Sequence, residues 1–309
     1  MKICVTTIYD DNMLDIANIT AFDNFEKYCR LNNYQLEVIK IDYKKERHTS
    51  WCKILEVKKL LESNKYDWVF FIDLDCLFMN MTTKLESLVD DNNFIIFASN
   101  DDVQDYPVLN KFGTYGVAGS QFLIKNCQLS IDFLDDVWKS VDLPTDIVDE
   151  YDWEQRQFRH SIVKDKFKDS VKIIEGRLIN AYWYTNDVFF LMKYKKYNKD
   201  IWQIGDFIVH IPGLHGKDRL KLISDLNFFS GGYIARFKRN NDILTISSLI
   251  DLNNIRVEIS DMNNNLLFIY NFEEMSEKTS YWMSVLQSGS FIFRAYNENN
   301  EMISAKIID

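Results

Sequence analysis

The chain has little of what marks exported, membrane-spanning or nucleic-acid-binding proteins. Its five cysteines, Cys4, Cys29, Cys52, Cys76 and Cys127, are scattered and odd in number. They form no CxxC pair and no zinc-like spacing, so reduced core thiols are expected rather than a disulfide framework or a zinc module. No apolar run approaches the roughly 18 to 20 residues needed to span a bilayer. Met1 leads straight into a strand-like segment, Lys2 to Thr7, instead of a signal sequence, and a cytoplasmic location is the expectation. Positive charge is scarce as well. With 36 Lys and Arg against 46 Asp and Glu, the formal net charge is −10, which disfavours nonspecific contact with nucleic acid. An anionic substrate would then depend on local basic residues or a divalent cation for its approach.

What is present is apolar and aromatic. The 309 residues are 47% hydrophobic and 15% aromatic, enough to bury a large core in one big domain or two. From residue 1 to about 228, strand-like runs alternate with helical patterns, which predicts βα units in an α/β layer fold. Strands are expected at ICVTTIY, at Leu36 to Ile41, at Phe94 to Ala98 and at Gln121 to Ile124. Helices are expected from Met13 to Leu31, Trp51 to Glu62 and Leu129 to Ser140. After Phe229 the texture changes to short strands with asparagine-rich turns, so residues 229–309 read as a small antiparallel β domain entered through Ser230, Gly231 and Gly232. No low-complexity linker precedes it. Its aromatics are expected mainly in its own core, with glycan or partner binding as the alternative.

The stretch from Tyr66 to Asn80 carries the strongest chemical signal. Five consecutive apolar residues, Trp68 to Ile72, predict a strand covered on both faces, and ligands in such sheets bind beyond the strand's carboxyl end. Asp73 and Asp75 stand there, and two hard oxygen ligands suit Mn²⁺ or Mg²⁺ together with substrate phosphates. A second polar cluster, Ser99 to Asp102, follows the next apolar strand. Further on, DFIVHIPGLHGKDR ends an apolar run at His210 and continues into a glycine-bearing basic loop with Pro212, Gly213, Gly216, Lys217 and Arg219. Either cation could neutralise phosphate, and His210 could complete a metal site or be a core histidine. Asp152 to Gln155 resembles a capping box ahead of a helix. The loop Arg177 to Asn186 could line a sugar groove or be packed.

These residues resemble the metal-dependent glycosyltransferases of the GT-A fold, in particular the retaining α-galactosyl-, α-mannosyl- and xyloglucan α-xylosyltransferase family. The likeness spans about residues 1–225. It rests on Trp51 and Lys53 in HTSWCKI, the FFIDLD strand, FLIKN at Phe122 to Asn126, Glu154 and Gln155 in DWEQ, and VHIPG at Val209 to Gly213, in family order. One departure is Ala118, Gly119, Ser120 where an Asn-x-Gly is usual. The resemblance implies a Rossmann-like, mostly parallel sheet flanked by helices over residues 1–228. It implies Mn²⁺ (or Mg²⁺) held by Asp73, Asp75 and His210 against the diphosphate of a UDP-sugar, with UDP-galactose the leading donor. It also implies Thr6 and Thr7 by the nucleotide, Lys53, Gly213 and Lys217 around the donor, Asp101 or Asp102 against the donor sugar, and Gln155, with Glu154 beside it, near the anomeric carbon. The partners implied are a nucleotide sugar and a saccharide, lipid-linked or glycoprotein acceptor. Eukaryotic members are anchored in the Golgi membrane, and the lack of an anchor suggests a bacterial or viral relative.

Two other classes are weighed against this one. The DLDCLF segment also resembles the first motif of haloacid-dehalogenase-type phosphatases, but it falls on the third strand and lacks that family's following residues. A non-enzymatic glycan-binding protein would leave the aspartate strand unexplained.

Overall fold

The computed structural model describes residues 1–42, 49–99, 116–139, 153–183, 201–202, 205–230, 236–240, 243–247, 252–263, 265–275, 281–284, 291–296, 298 and 302–308. Strand β1 (Ile3–Tyr9) is followed by helix α1 (Leu14–Ile19), a π-helical stretch (Thr20–Phe25) and α2 (Glu26–Asn32). Next come β2 (Gln35–Lys40), α3 (Cys52–Glu62), β3 (Trp68–Ile72) and β4 (Cys76–Phe78). Then follow β5 (Ile95–Ser99), β6 (Val117–Lys125), α4 (Gln128–Lys139) and α5 (Trp153–Ile162). The α/β part ends with β7 (Val171–Ile174), α6 (Gly176–Ile179), β8 (Ala181–Tyr182), β9 (Ile208–His210) and α7 (Gly216–Phe229).

Six strands form the main sheet in the order β2-β1-β3-β6-β5-β7. β2, β1 and β3 are parallel, as are β5 and β7, while β6 runs antiparallel between β3 and β5. The expected mostly parallel sheet is present, with one reversed strand at its centre. That strand is also longer than the Gln121 to Ile124 expected, because residues 117–120 continue the ladder onto Ser99.

β3 shows why the apolar run reads as it does. Trp68, Phe70 and Ile72 point into one core with β1, β4 and the α1 to α2 region, whereas Val69 and Phe71 enter a second core with α3, α4 and α5. A strand with a core on each side has no solvent face, so every position is apolar. In the second core Phe122 stacks on Phe71 at 5.4 Å between ring centroids and also meets Phe97 and Phe158.

A small sheet, β4-β9-β8, lies beyond the end of β3. Asn24, inside the π-helical stretch, accepts from the Phe78 amide at 2.7 Å and donates to the Phe78 carbonyl at 3.1 Å, which ties β4 to the first helical region. Beyond α7, two antiparallel sheets are described. β10 (Arg236–Asn240), β11 (Ile243–Ser247) and β14 (Tyr281–Ser284) form one. β12 (Leu252–Ser260), β13 (Leu266–Met275), β15 (Phe291–Tyr296) and β16 (Met302–Ile308) form the other, in the order β13-β12-β15-β16. Asp261 closes the β12–β13 turn by accepting from the amides of Asn263 and Asn265, the side-chain turn chemistry that asparagine-rich connections suggest. Phe268, Tyr270 and Phe272 face the same side as buried Ile259, Val257 and Ile255, their register partners. These aromatics belong to the core-facing side of the sheet. Among the described residues no helix is long and apolar enough to cross a membrane.

Phe122→Ala should remove about 3 to 5 kcal/mol of stability, since four-ring packing leaves a cavity that rigid strands cannot close. Denaturant titration of wild type and variant measures this, and Leu178→Ala, at a 47% exposed position, should stay within about 0.5 kcal/mol.

Candidate active site

The site is built around a lysine that never reaches solvent. Lys53, on the first turn of α3, is 2% exposed. Its Nζ donates to Asp73 Oδ1 at 3.0 Å and to the Gly119 carbonyl at 3.1 Å, and it pairs with Glu154 Oε1 at 2.8 Å. An ammonium has three N–H donors, so all of them are occupied. Burial disfavours the charged lysine, yet the charges and hydrogen bonds of Asp73 and Glu154 outweigh it and raise its pKa. Glu154 is likewise buried, and Lys53 holds it below the usual carboxylate range against that burial. Lys53 was expected beside the donor; it lies beneath Asp73, tying α3, the end of β3, β6 and α5 together.

The two aspartates of the turn after β3 behave differently. Burial pushes Asp73 up to about 6 despite Lys53, and the neighbouring charges of Asp75 and Glu154 add to the rise. Burial acts on Asp75 too, but the hydrogen bond and charge of His210, with Arg219 behind it, lower its pKa. Two close carboxylates whose environments drive their pKa values apart mark a candidate functional site.

The small sheet supplies the rest. Antiparallel pairing of β4 with β9 sets Cys76 opposite His210, and the Ile211 amide donates to the Asp75 carbonyl at 2.9 Å. His210 Nε2 then stands 3.4 Å from Asp75 Oδ1. Its other nitrogen, Nδ1, lies 2.8 Å from Oδ1 of Asn180, whose amide nitrogen donates to the Tyr182 hydroxyl at 3.0 Å. With the amide oxygen facing Nδ1, a proton on Nδ1 has its acceptor, and Nε2 is the nitrogen turned toward the Asp75 carboxylate. A cation at Nε2 would replace the hydrogen bond to Asp75 at that spacing, and an imidazole with carboxylate oxygens is a suitable donor set for a divalent metal. Asp75, Cys76 and His210 offer ligand atoms all within 4.8 Å of one another. Asp73 is not in that group; its Oδ1 rests on Lys53.

The remaining expected residues fall in varied places. Thr6 donates to the Glu37 carbonyl at 2.9 Å and is spent on the β1–β2 pairing. Thr7 Oγ1 is buried without a hydrogen-bond partner among the described residues, which suits a hydroxyl awaiting a polar ligand. Gln155 Oε1 accepts from the Gly119 amide at 2.9 Å, so this oxygen serves β6 rather than a capping box; Asp152 lies outside the described residues. Gly213, at φ +79°, occupies the left-handed region in the turn after β9, where glycine is unstrained. Lys217 is exposed near the start of α7. It is Arg219, through NH1 3.6 Å from Asp75 Oδ2, that faces Asp75. Asp101 and Asp102 lie outside the described residues, as does the end of the Arg177 to Asn186 loop. Asn180, Cys76 and Gly119 were not anticipated. Asn180 belongs to a loop noted for its aromatics, and nothing in its local pattern signals a contact 30 residues away.

The architecture places the chain among proteins of the GT-A fold. The model of the galactosyl transferase GMA12/MNN10 family matches residues 5–217, well over half of the chain, and the chain belongs to that family. Galactomannan galactosyltransferase 1 of Cyamopsis tetragonoloba is 29% identical over 153 residues, 48% of this chain and 32% of that protein. Probable xyloglucan 6-xylosyltransferase 3 of Arabidopsis thaliana is 29% identical over 131 residues, 41% of this chain and 27% of that protein. The chain thus spans about a third or less of the length of these curated relatives. A solved glycosyltransferase involved in glycosylation of the major capsid of PBCV-1 superposes with a TM-score of 0.52 at 14% identity, covering 73% of this chain and 100% of that one, a likeness of fold alone. The resemblance read from the sequence and the fold class are borne out.

Lys53→Met should destabilise the protein by about 3 to 5 kcal/mol, because buried Glu154 and partly buried Asp73 lose their cation. Adding Glu154→Gln should restore part of that loss, and urea unfolding of wild type, each single variant and the double variant measures the coupling. Gly119→Ala tests the helix–strand approach: the added Cβ would lie 3.2 Å from Phe158 Cδ2 and 3.3 Å from Gln155 Cβ. A loss of about 1 to 3 kcal/mol is expected in the same assay.

Proposed function

We propose that the protein is a metal-dependent, retaining glycosyltransferase that moves a hexose or pentose from a nucleotide sugar, best a UDP-sugar such as UDP-galactose, to a saccharide acceptor. The observation that carries this reading is the 3.4 Å gap between His210 Nε2 and Asp75 Oδ1, at the carboxyl end of a central strand in a chain of this family. Residues 1–228 would form the catalytic domain and residues 229–309 a separate small β domain. Five cysteines without a disulfide support a reducing compartment such as the cytoplasm.

In the proposed reaction Asp73, Asp75 and His210 would hold the ion. Bound there, Mn²⁺ (or Mg²⁺) supplies Lewis acidity to the leaving diphosphate. Asn180 presents the His210 lone pair, and Lys53 fixes the Asp73 carboxylate, so the ligands need little rearrangement as charge develops. The amino end of α7, beginning at Gly216, offers unpaired N–H groups and a positive dipole to the phosphates, with Lys217 and Arg219 adding charge. Thr6 and Thr7 line the nucleotide side, with the Thr7 hydroxyl as the contact, and Asp101 meets the donor sugar. Glu154 is locked onto Lys53 and is a poor nucleophile. The acceptor hydroxyl therefore attacks from the leaving-group face: the new glycosidic bond forms as the anomeric C–O bond breaks, and the departing phosphate oxygen takes the proton. Gln155 and Glu154 support the developing positive charge from below.

Two measurements check this. Thermal unfolding with UDP, GDP and their sugars, with and without Mn²⁺, should show stabilisation only for metal plus one nucleotide, about 2.7 kcal/mol at a ligand concentration 100 times Kd. The effect should vanish in Asp75→Ala; no response to any pair would overturn the proposal. In calorimetry with Mn²⁺ alone, Asn180→Ala should bind the ion about 10- to 100-fold more weakly, and unchanged affinity would remove Asn180 from the metal's support.

A further inference from the structure

We propose that Asp75, His210 and Cys76 form a second, deeper ion position at the same site, one that takes a thiophilic divalent cation, Zn²⁺, through carboxylate, imidazole and thiolate. The proposal rests on reading Asp75 and His210 as metal ligands and goes beyond it in assigning the sulfur.

The geometry is close to what such an ion requires. With Zn–N near 2.0 to 2.1 Å, Zn–O near 2.0 to 2.2 Å and Zn–S near 2.3 Å, tetrahedral coordination separates ligand atoms by about 3.3 to 3.6 Å. His210 Nε2 and Asp75 Oδ1 already stand 3.4 Å apart. Cys76 Sγ completes a triangle whose atoms all lie within 4.8 Å, so closure needs a shift of about 1 Å or a small side-chain rotation. The triangle follows from the strand pairing: Cys76 and His210 are direct partners across β4 and β9, and paired residues place their side chains on one face.

Each nitrogen and sulfur ligand also has a supporting group. Asn180 holds Nδ1 of His210, which leaves Nε2 for the ion. Gln121 donates from Nε2 to Cys76 Sγ at 2.6 Å, and its own oxygen accepts from Ser120 Oγ at 2.7 Å. An amide already aimed at the sulfur would stabilise the thiolate once the Sγ–H proton has left to solvent and the S–Zn bond has formed. Without an ion, burial together with the charges of Asp75 and Asp73 keeps the thiol protonated. Access is through the Asp75 carboxylate, 17% exposed, since Cys76 itself is fully buried. Soft thiolate ligands favour Zn²⁺, whereas Mn²⁺ prefers oxygen. Zinc would therefore draw Asp75 and His210 inward, away from the ion proposed for the diphosphate, and compete with Mn²⁺.

Titration of the wild-type protein with Co²⁺ alone, followed by absorption, tests the assignment. A thiolate-to-cobalt charge-transfer band, displaced by Zn²⁺ and absent from Cys76→Ala, is expected. Zinc affinity should fall at least tenfold in Cys76→Ala, measured by competition with a chromogenic chelator. Absence of the band in wild type, or its survival in Cys76→Ala, overturns the proposal. The wild-type spectrum decides even if the variant fails to fold. If the band is absent while Mn²⁺ and nucleotide still stabilise the protein, the thiol site fails and the transferase reading stands; if no divalent ion binds at all, both fail.

Discussion

A single ammonium group, that of Lys53, is the point on which the site depends. An isolated charge with almost no solvent would cost several kcal/mol, and the fold offsets that cost with two carboxylates and a backbone carbonyl drawn from three other elements. The arrangement is reciprocal. Lys53, ahead of the Ser50 hydrogen bond, holds Glu154 ionised against its burial, and Asp73, although pushed toward protonation by burial, has its orientation set by the same contact. Gly119 lets α5 approach β6 closely enough for Glu154 to reach the lysine, and Gln155 fastens that approach through the Gly119 amide. Helix, strand end and sheet centre are thus positioned by one charge cluster, and the carboxylate of Asp73 inherits their rigidity.

The second determinant is the three-stranded sheet β4-β9-β8. It is small, yet it brings residues from 75–78, 180–182 and 208–211 into one wall facing the aspartate turn. Hydrogen bonding between β4 and β9 fixes the separation of Asp75 and His210 more firmly than side-chain packing alone would, because backbone pairing sets the register. Asn180, just ahead of β8, engages Nδ1 of His210 and so leaves Nε2 toward Asp75. Carboxylates and one imidazole, the donor set a divalent ion would use, converge with the Arg219 guanidinium at the end of a strand that is apolar along its whole length.

Much of this was legible in the sequence, for identifiable reasons. The run Trp68 to Ile72 is apolar because cores lie on both sides, so the two aspartates after it stood out against a pattern with no other polar residue. His210 was visible for the same reason, at the end of its own short apolar run. Other features depend on contacts between residues far apart. The reversed direction of β6 leaves no local mark, since FLIKN reads as a strand in either orientation. Lys53 was recognised as a site residue, but its burial beneath Asp73 requires knowing that α5 delivers Glu154 from 101 positions away. Thr6 and Thr7 looked equivalent; alternation along β1 sends one hydroxyl to Glu37 of the neighbouring strand and leaves the other without a partner among the described residues. Arg219, not Lys217, faces Asp75, a difference set by the phase of α7.

The most direct test is anomalous diffraction at the manganese edge from crystals grown with Mn²⁺ and UDP. The expected result is one strong peak bounded by the Asp73 and Asp75 carboxylates and His210 Nε2, with the diphosphate oxygens completing its coordination and the Asn180 oxygen still on Nδ1. Ordered UDP with no anomalous peak between those three side chains, or a peak held by other residues, would contradict the assignment of this cluster as the donor metal site.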